Sequence, residues 1–258
     1  MGYCTLSRMS ILLALLLPIV ASAQTLVSGA TQWAPYTFSD EGGEPKGIAV
    51  EVARQVLEQA GIQAEFVFYP TNRLKLMEQQ GRVDLNYADS PHWSAESDGV
   101  PFLFSHPYLN VKEHLFFLAS HPAREVPLDQ LKSLNVGGVR GYHYPSLETA
   151  FQHRQLVRLD TSREDALMEL LVLGRVDAIV MADDMFSYLL HARALDPQLF
   201  ARGPQISTAP LAIKLNPRHS HYLPAINQAI QKMLERGTVE DIRRGFVHDD
   251  AQEVLGVR

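Results

Sequence analysis

The segments "LKLMEQQGRVDLNYAD" (74–89) and "LMELLVLGRVDAIVMAD" (167–183) decide the fold, because the same pattern occurs in both. In each copy a Leu- and Met-rich segment is followed by Gly-Arg-Val-Asp and then by an apolar run that ends in Ala-Asp. Glycine tolerates the left-handed conformation that ends a helix, and Val favours a strand. A chance similarity between two common helix-to-strand turns is the alternative. The agreement on both sides of the tetrapeptide favours two related units, in which a helix ends at Gly81 or Gly174 and a core strand follows.

Helix-like and strand-like segments alternate on both sides of the two copies. The predicted helices show a helical apolar period or an N-terminal capping pattern, such as Thr161 with Glu164. They cover 47–61, 72–80, 146–152, 161–173, 221–236 and a short segment from Thr238. The predicted strands cover 25–30, 62–69, 83–87, 134–139, 156–160 and 176–181, with a β-rich stretch over 102–119, and the segment 206–215 precedes the C-terminal helices. This alternation predicts an α/β fold with mostly parallel sheets, in two lobes joined by the β-rich stretch.

Length and charge limit the classes of function. The chain has 258 residues, enough for one large domain or two modest ones. Its net charge is −6, with 46% hydrophobic and 20% charged residues. A chain with this balance is a poor partner for nucleic acids and for anionic membrane surfaces. We therefore expect no nucleic-acid partner.

The N-terminal segment has the form of a secretory signal peptide. An apolar run, "ILLALLLPIV" (11–20), is followed by the small residues "ASA" (21–23), and Arg8 is the only charged residue before the predicted cut after Ala23. The run is short for a membrane span, although an uncleaved anchor is the alternative. Cleavage removes Cys4, the only cysteine, so we expect a periplasmic protein without disulfides or cysteine chemistry.

Six segments occur in the order found in one known family. They are 33–61, "LKLMEQQGRVDL" (74–85), "FSHPYL" (104–109), "LNVGGVRGYHYPS" (134–146), 166–183 and 211–246. Together they resemble bacterial extracellular solute-binding proteins of family 3, the periplasmic receptors of polar amino-acid ABC transporters.

This resemblance implies the type II periplasmic binding fold: two Rossmann-like α/β lobes joined by two hinge crossings, with a small-molecule ligand between them. It places lobe 1 at 24–110 and 208–258 and lobe 2 at 111–207. It also implies an ABC permease in the inner membrane as partner. We expect a monomer without a cofactor.

Ligands of open α/β sheets bind beyond the carboxyl ends of the strands. Asp89 and Ser90 follow the predicted strand of lobe 1, and Asp183 follows that of lobe 2, so they are candidate ligand contacts. In the family, an acid at the position of Asp183 pairs with the ligand's amino group. The alternatives are a turn before Pro91 for Asp89 and a helix N-cap for Asp183 or Asp184.

A loop and an aromatic set complete the predicted site. The loop "RGYHYPS" (140–146) leads into a helix N-terminus, which attracts anions, and the resemblance implies that it helps to hold a ligand carboxylate. A solvated loop is the alternative. Aromatic side chains provide flat apolar walls and cation–π contacts, whereas Phe38 is assigned to the core. The candidate contacts from these two groups are Arg140, Gly141, Tyr142, His143, Trp33, Tyr36 and Trp93.

One departure from the family concerns the arginine that clamps the ligand carboxylate, a few residues before Phe-Ser-x-Pro-Tyr. The corresponding segment, 90–108, contains no Arg or Lys, and Glu96 and Asp98 stand there instead. Either Arg73 or Arg140 substitutes for the clamp, or the ligand is not an ordinary amino acid. A cationic or polyhydroxylated ligand would be compatible with acids at this rim.

No G-x-S-x-G, H-E-x-x-H or P-loop pattern occurs in the sequence. His219 and His221 form the only close histidine pair, and without a nearby acid in sequence we expect them at the surface and expect no metal site. The leading hypothesis is a periplasmic receptor that delivers a small polar solute to an ABC importer. The alternatives are a sensing subunit for a membrane signalling protein and a cyclohexadienyl dehydratase-like enzyme, for which Asp89, Asp183 or His143 would supply the acid.

Overall fold

The computed structural model describes residues 25–93 and 101–247. The predicted signal peptide and the acids Glu96 and Asp98 lie outside the described residues. Within the described ranges, no helix combines the length and the apolar character that a membrane crossing requires.

Helices and strands alternate as the sequence predicts. The strands are β1 Leu26–Ala30, β2 Phe38–Ser39, β3 Pro45–Lys46, β4 Ala64–Phe68, β5 Leu85–Asp89, β6 Leu103–Phe104, β7 Leu109–Leu118, β8 Leu134–Val139, β9 Leu156–Thr161, β10 Ala178–Ala182 and β11 Phe200–Leu215. The helices are α1 Ile48–Gln59, α2 Thr71–Gln79, α3 Pro145–Gln152, α4 Glu164–Val172, α5 Asp183–Ala192, α6 Leu223–Glu235 and α7 Thr238–Arg244. Short 3-10 turns connect several of these elements.

Nine of the eleven strands of the described residues join into one sheet with the order β4-β1-β5-β11-β7-β10-β8-β9, in which β6 also pairs with β11. Strands β2 and β3 form a separate two-stranded sheet. The outer strands pair in parallel within each of two sets, β4-β1-β5 and β10-β8-β9. The long strands β7 and β11 run antiparallel between the two sets. We call the β4-β1-β5 set, with α1, α2, α6 and α7, the first lobe, and the β10-β8-β9 set, with α3, α4 and α5, the second lobe. The predicted fold class, two α/β lobes joined by two crossing segments, is confirmed.

Helix α1 shows why the apolar pattern places helices against the sheet. Its buried side chains lie on one face at helical spacing and include Ile48, Val52, Ala53, Val56 and Leu57. Each large aliphatic side chain buried in this way contributes about 1.5–3 kcal/mol. The same face contacts α6 and α7, so the C-terminal helices complete the core of the first lobe.

The two Gly-Arg-Val-Asp tetrapeptides have the same local geometry. Gly81 follows α2 with φ +64°, and Gly174 follows α4 with φ +63°. Both values lie in the left-handed region that glycine adopts without steric cost. Each glycine therefore ends its helix as predicted, and the following strand, β5 or β10, starts two residues later than the sequence indicated.

The aspartates of the two tetrapeptides hold the start of a neighbouring strand. An Asp84 carboxylate oxygen accepts a hydrogen bond from the Val27 amide in β1 at 2.7 Å. In the second lobe, Asp177 accepts from the Asn135 amide in β8, also at 2.7 Å. Each aspartate amide donates in return to the carbonyl of the same partner residue. The repeat is therefore a scaffold element in both lobes.

One capping prediction is wrong, and one capping alternative is excluded. Helix α4 starts at Glu164, and the Glu164 carboxylate accepts from the Tyr142 hydroxyl instead of closing a capping box with Thr161. Helix α5 has Ala182 at its N-cap, so neither Asp183 nor Asp184 caps it. In both cases tertiary partners take the side chain that a local cap would have used.

The prediction of a surface position for His219 is also wrong. Its side chain is buried, and its Nε2 lies 2.7 Å from an Asp84 carboxylate oxygen. The two residues are 135 positions apart in the chain, so sequence proximity gave no indication of this partner. In the described part of the chain, no group of three or more His, Cys, Asp and Glu side chains could hold a metal ion.

Candidate ligand-binding cleft

A cavity of about 190 Å³ lies between the two lobes. It opens beyond the carboxyl ends of β1, β5 and β8, which is where the topology of open α/β sheets places a ligand. The first lobe, together with β11, contributes Thr31, Trp33, Thr71, Leu74, Lys75, Glu78, Asn86, Ala88, Asp89, His92, Trp93 and Lys214 to the lining. The crossing strand β7 and the second lobe contribute Glu113, Gly141, Tyr142, His143 and Tyr144.

The structure brings together part of the predicted site. Six predicted contacts line the cavity: Trp33, Asp89, Trp93, Gly141, Tyr142 and His143. Five others are absent from the described lining: Tyr36, Arg73, Ser90, Arg140 and Asp183.

Tyr36 and Ser90 lie behind the lining. The Tyr36 ring packs on the Trp33 ring with centroids 4.2 Å apart, and its hydroxyl donates to Asp184 at 3.1 Å. Ser90 is fully buried, and its hydroxyl oxygen accepts from the His92 amide at 3.2 Å. Both residues support neighbouring lining residues from within the fold.

The two predicted substitutes for a carboxylate clamp lie elsewhere. Arg73 is exposed on α2, where its guanidinium carbon lies 5.9 Å from the centre of the Tyr69 ring. Arg140 is exposed in the loop after β8. The lysines of the lining, Lys75 and Lys214, were not among the candidates.

Asp183 is paired with side chains of the crossing strands β7 and β11. One carboxylate oxygen lies 2.7 Å from His114 Nδ1, and the other lies 3.4 Å from Arg202 Nη1. His114 and Asp183 are both buried. The carboxylate of Asp183 therefore binds two protein side chains, His114 and Arg202, and it is absent from the described lining of the cavity.

The floor of the cavity contains a buried cluster of charges. Lys214 Nζ lies 2.9 Å from a Glu78 carboxylate oxygen and 3.1 Å from an Asp89 oxygen. The Asn86 amide donates to the other Glu78 oxygen at 2.9 Å. Burying ions is costly unless they are paired and hydrogen-bonded, and here one ammonium group compensates two carboxylates.

The protonation equilibria of this cluster follow from burial and pairing. Burial raises the pKa of Glu78 and of Asp89, and the opposing effect of Lys214 does not cancel it. Burial by itself would lower the pKa of Lys214, but Asp89 and Glu78 raise it more, so it stays charged. The cluster thus carries excess negative charge when both acids are ionised.

The positions of these charges in the sequence are a signal that sequence reasoning missed. When the two tetrapeptides are aligned on their glycines, Glu78 in α2 corresponds to Leu171 in α4, and both side chains are buried. Lys214 likewise interrupts an apolar strand, "LAIKL" (211–215). A charged residue at a position that the periodicity assigns to the core indicates a buried partner or a site.

The crossing strand β7 and the second lobe face the cavity with one acid and two tyrosines. The carboxylate of Glu113, on β7, accepts from the Ser207 hydroxyl at 2.5 Å, and burial raises the pKa of Glu113. Tyr142 donates to Glu164 at 2.5 Å. The Tyr144 hydroxyl accepts from the Val139 amide at 3.0 Å. These bonds fix the orientation of both rings at the cavity wall.

Aromatic rings form the wall on the side of the first lobe. Trp33 and Trp93 pack edge to face with centroids 5.6 Å apart. Trp33 rests in turn on the buried Tyr36. A rigid aromatic wall beside a few polar groups is the arrangement typical of small-molecule sites.

The model of one protein family matches most of the chain. The model for bacterial extracellular solute-binding proteins, family 3, aligns with residues 26–249. Among curated proteins, no sequence matches significantly.

Solved structures share the fold at low identity. A histidine kinase sensor domain with similarity to periplasmic binding proteins is 22% identical, with a TM-score of 0.72 over 86% of this chain and 96% of that one. An ancestral amino acid-binding protein, a precursor of cyclohexadienyl dehydratase, is 18% identical, with a TM-score of 0.67 over 88% and 96%. The substrate-binding protein of an amino acid ABC transporter is 19% identical, with a TM-score of 0.65 over 86% and 99%.

Proposed function

Because the chain belongs to the bacterial extracellular solute-binding proteins, family 3, we propose that it is a periplasmic receptor. It captures a small polar ligand, an amino acid or a related compound, in the cleft between its lobes. It then delivers this ligand to an ABC importer.

One observation supports this proposal most strongly: the cavity takes its lining from both lobes. Trp33 and Asp89 belong to the first lobe, whereas Tyr142 and His143 belong to the second. A ligand that contacts both lobes binds the closed state more tightly than the open state. The difference between these two binding free energies stabilises the closed state.

The crossing strands provide a route for that motion. We place lobe 1 at 24–110 and 208–258 and lobe 2 at 111–207. The antiparallel pair β7 and β11 then carries the chain in both directions between the lobes. Rotation about this pair changes the width of the cleft without breaking either parallel strand set.

We favour transport over signalling as the consequence of ligand binding. The family is described as extracellular, and the apolar segment before Ala23 fits export. A binding protein of an amino acid ABC transporter also shares the fold. A permease and its ATPase would receive the loaded protein at the inner membrane, and the receptor would act as a monomer.

The proposal is tested by binding without turnover. A thermal-shift screen of amino acids, polyamines, sugars and organic acids should identify a ligand that raises Tm by mass action. Calorimetry should then give one site per chain, and mass spectrometry should recover the ligand unchanged. A chemically altered product would contradict the receptor function and favour the dehydratase alternative.

Variants of the cavity sharpen this test. Trp93→Ala should weaken binding of the identified ligand about tenfold or more, because it removes apolar contact area from the wall. His143→Ala tests the second lobe, and His153→Ala, also an exposed histidine of that lobe but absent from the lining, is its matched control. Equal affinity in all three variants and the wild type would place the ligand outside this cavity.

The sensing alternative differs in its partner. A histidine kinase sensor domain shares the fold. Reconstitution with the ABC permease and ATPase should show ligand-dependent stimulation of ATP hydrolysis. Stimulation of a membrane kinase or cyclase in its place would favour sensing.

A further inference from the structure

The charges that line the cavity are unevenly shared between the lobes. The first lobe presents Glu78 and Asp89 together with Lys75, and Lys214 joins them from β11. Across the cleft, the described lining from β7 and the second lobe contains two ionisable side chains besides its tyrosines, Glu113 and His143. Of these two types, glutamate is the one that is ordinarily charged at neutral pH. Among the described lining residues, three carboxylates therefore face two lysines.

The lysine at the floor of the cavity leaves no free positive charge for an anionic ligand. Lys214 is held between the carboxylates of Glu78 and Asp89 at 2.9 and 3.1 Å. A third carboxylate on the same ammonium group would face two buried like charges. Lys75, the second lysine of the lining, is solvent-exposed, so water weakens its attraction for an anionic ligand.

Glu113 has no cationic partner within the residues that the structure describes. Its recorded bond is the one from the neutral Ser207 hydroxyl. Two further acids, Asp183 and Glu164, are near enough to raise the pKa of Glu113, and Asp183 is itself paired with His114 and Arg202. A partly buried carboxylate in such surroundings gains stability from a cation that enters the cavity.

The aromatic wall suits the same kind of ligand. Trp33 and Trp93 stand in the lining beside Asp89. Indole faces attract ammonium and guanidinium groups and also pack against apolar carbon. The wall and the acids thus favour one chemistry, an organic cation with an apolar part.

Resting on the proposed receptor function, we propose that the natural ligand is an organic cation whose ammonium or guanidinium group lies between Glu113 and the Glu78–Asp89–Lys214 cluster. A free carboxylate on the ligand is not required for binding. The cation compensates acids from both sides of the cleft, which would otherwise repel each other as the cleft narrows. Charge on the ligand therefore contributes to closure as well as to affinity.

Three guanidino and ureido compounds provide a matched test. Arginine and agmatine carry the same cation, and agmatine lacks the carboxylate. Citrulline keeps the carboxylate but replaces the guanidinium by a neutral urea. In calorimetry at constant ionic strength, we expect arginine and agmatine to bind, and citrulline to bind at least tenfold more weakly than either. Putrescine, glutamate and glucose complete the panel as a second cation, an anion and a neutral solute.

A variant of Glu113 tests the assignment of the cation subsite. Glu113→Gln keeps the shape and a hydrogen-bond acceptor for Ser207 but removes the charge, so we expect affinity for the cations to fall about tenfold to a hundredfold. Glu125→Gln makes the same change at a side chain that is 80% exposed and absent from the lining, and it should leave affinity unchanged.

The outcomes separate this inference from the receptor function. If citrulline, glutamate or glucose binds more tightly than every cation, or if cation affinity is the same in Glu113→Gln and the wild type, the inference is wrong and the receptor function stands. If the chain converts a panel member to a product, the receptor function itself fails. If none of the three cations binds, the cationic ligand class is also wrong.

Discussion

The first and second lobes use the same tetrapeptide in different surroundings. In both copies the aspartate accepts from a strand amide at 2.7 Å. Asp84 is buried and also contacts Arg218 and His219, whereas the Asp177 side chain is 34% exposed and lies 3.7 Å from His121. The shared bond is therefore the structural function of the repeat, and the additional partners were set separately in each lobe.

The helices that precede the tetrapeptides differ in a second way. Helix α4 buries Leu171 where α2 buries Glu78. The second lobe thus uses this position for its core, and the first lobe uses it for the charged floor of the cavity. Equivalent places in a repeated scaffold can serve stability in one lobe and a binding site in the other.

The largest expected effect comes from breaking the charged floor. Lys214→Met leaves Glu78 and Asp89 buried without their cation, and we expect a loss of about 3–5 kcal/mol in the free energy of unfolding. Urea denaturation at neutral pH measures this loss. The double variant Glu78→Leu with Lys214→Met makes the first lobe resemble the second at this position, and it should recover much of the loss while binding is lost. No recovery would contradict the equivalence of Glu78 and Leu171.

The two aspartates should differ in their contribution to stability. Asp84→Ala removes the acceptor of the Val27 amide and the partner of a buried histidine, so we expect a loss of about 3 kcal/mol. Asp177→Ala removes a more exposed acceptor, and we expect a loss of about 1 kcal/mol. Denaturation curves recorded in the same buffer compare them directly. Equal losses would show that the strand bond alone determines the contribution of each aspartate.

The contribution of Asp84 should depend on pH. Burial raises the pKa of Asp84, but bonds from Arg218, the Val27 amide and His219 lower it more, so the net shift is downward. A carboxyl whose pKa is lower in the folded state stabilises the fold above its unfolded pKa of about 3.9. This stabilisation disappears as the pH falls through the folded pKa. The difference in unfolding free energy between wild type and Asp84→Asn should therefore shrink from pH 6 to pH 3, and a constant difference would contradict this linkage.

The smallest expected effect concerns the two helix-ending glycines. Gly81→Ala and Gly174→Ala each place a side chain in the left-handed region, which costs about 1–2 kcal/mol. A methyl group at Gly81 would also approach Arg218 Nη1 to 3.0 Å, whereas the space at Gly174 is open. We expect Gly81→Ala to show the larger decrease in Tm. A larger decrease in Tm for Gly174→Ala would show that the Arg218 side chain moves away from the new methyl group at position 81 without a loss of stability.

Local patterns predicted most of the fold. The apolar period of α1, the glycines after α2 and α4, and the apolar strands β5 and β10 are properties of short segments, and hydrophobic burial acts on them in the same way wherever they occur. For that reason the elements and the two-lobe α/β class followed from the sequence. Asp89 was placed at the cleft from a strand end, the loop at Gly141–His143 from a helix start and the family resemblance, and Trp33 and Trp93 from their aromatic faces.

The charged contacts did not follow from local patterns. Thr161 with Glu164 and the acids at 183–184 looked like helix caps, but Tyr142, His114 and Arg243 compete successfully for these side chains. Proximity in sequence indicated the local partner, whereas the fold supplied partners with better geometry.

The sequence by itself determined the alternation of helices and strands, the two lobes and the ends of the strands where a ligand would bind, because each depends on periodicity and on backbone preferences over a few residues. The tertiary structure decided which charges meet. Glu78 and Lys214 are 136 residues apart, and Asp84 and His219 are 135 apart. Such pairs form only when strand β11 returns beside β5, since electrostatic interactions depend on distance in space and on burial, and the folded backbone sets both.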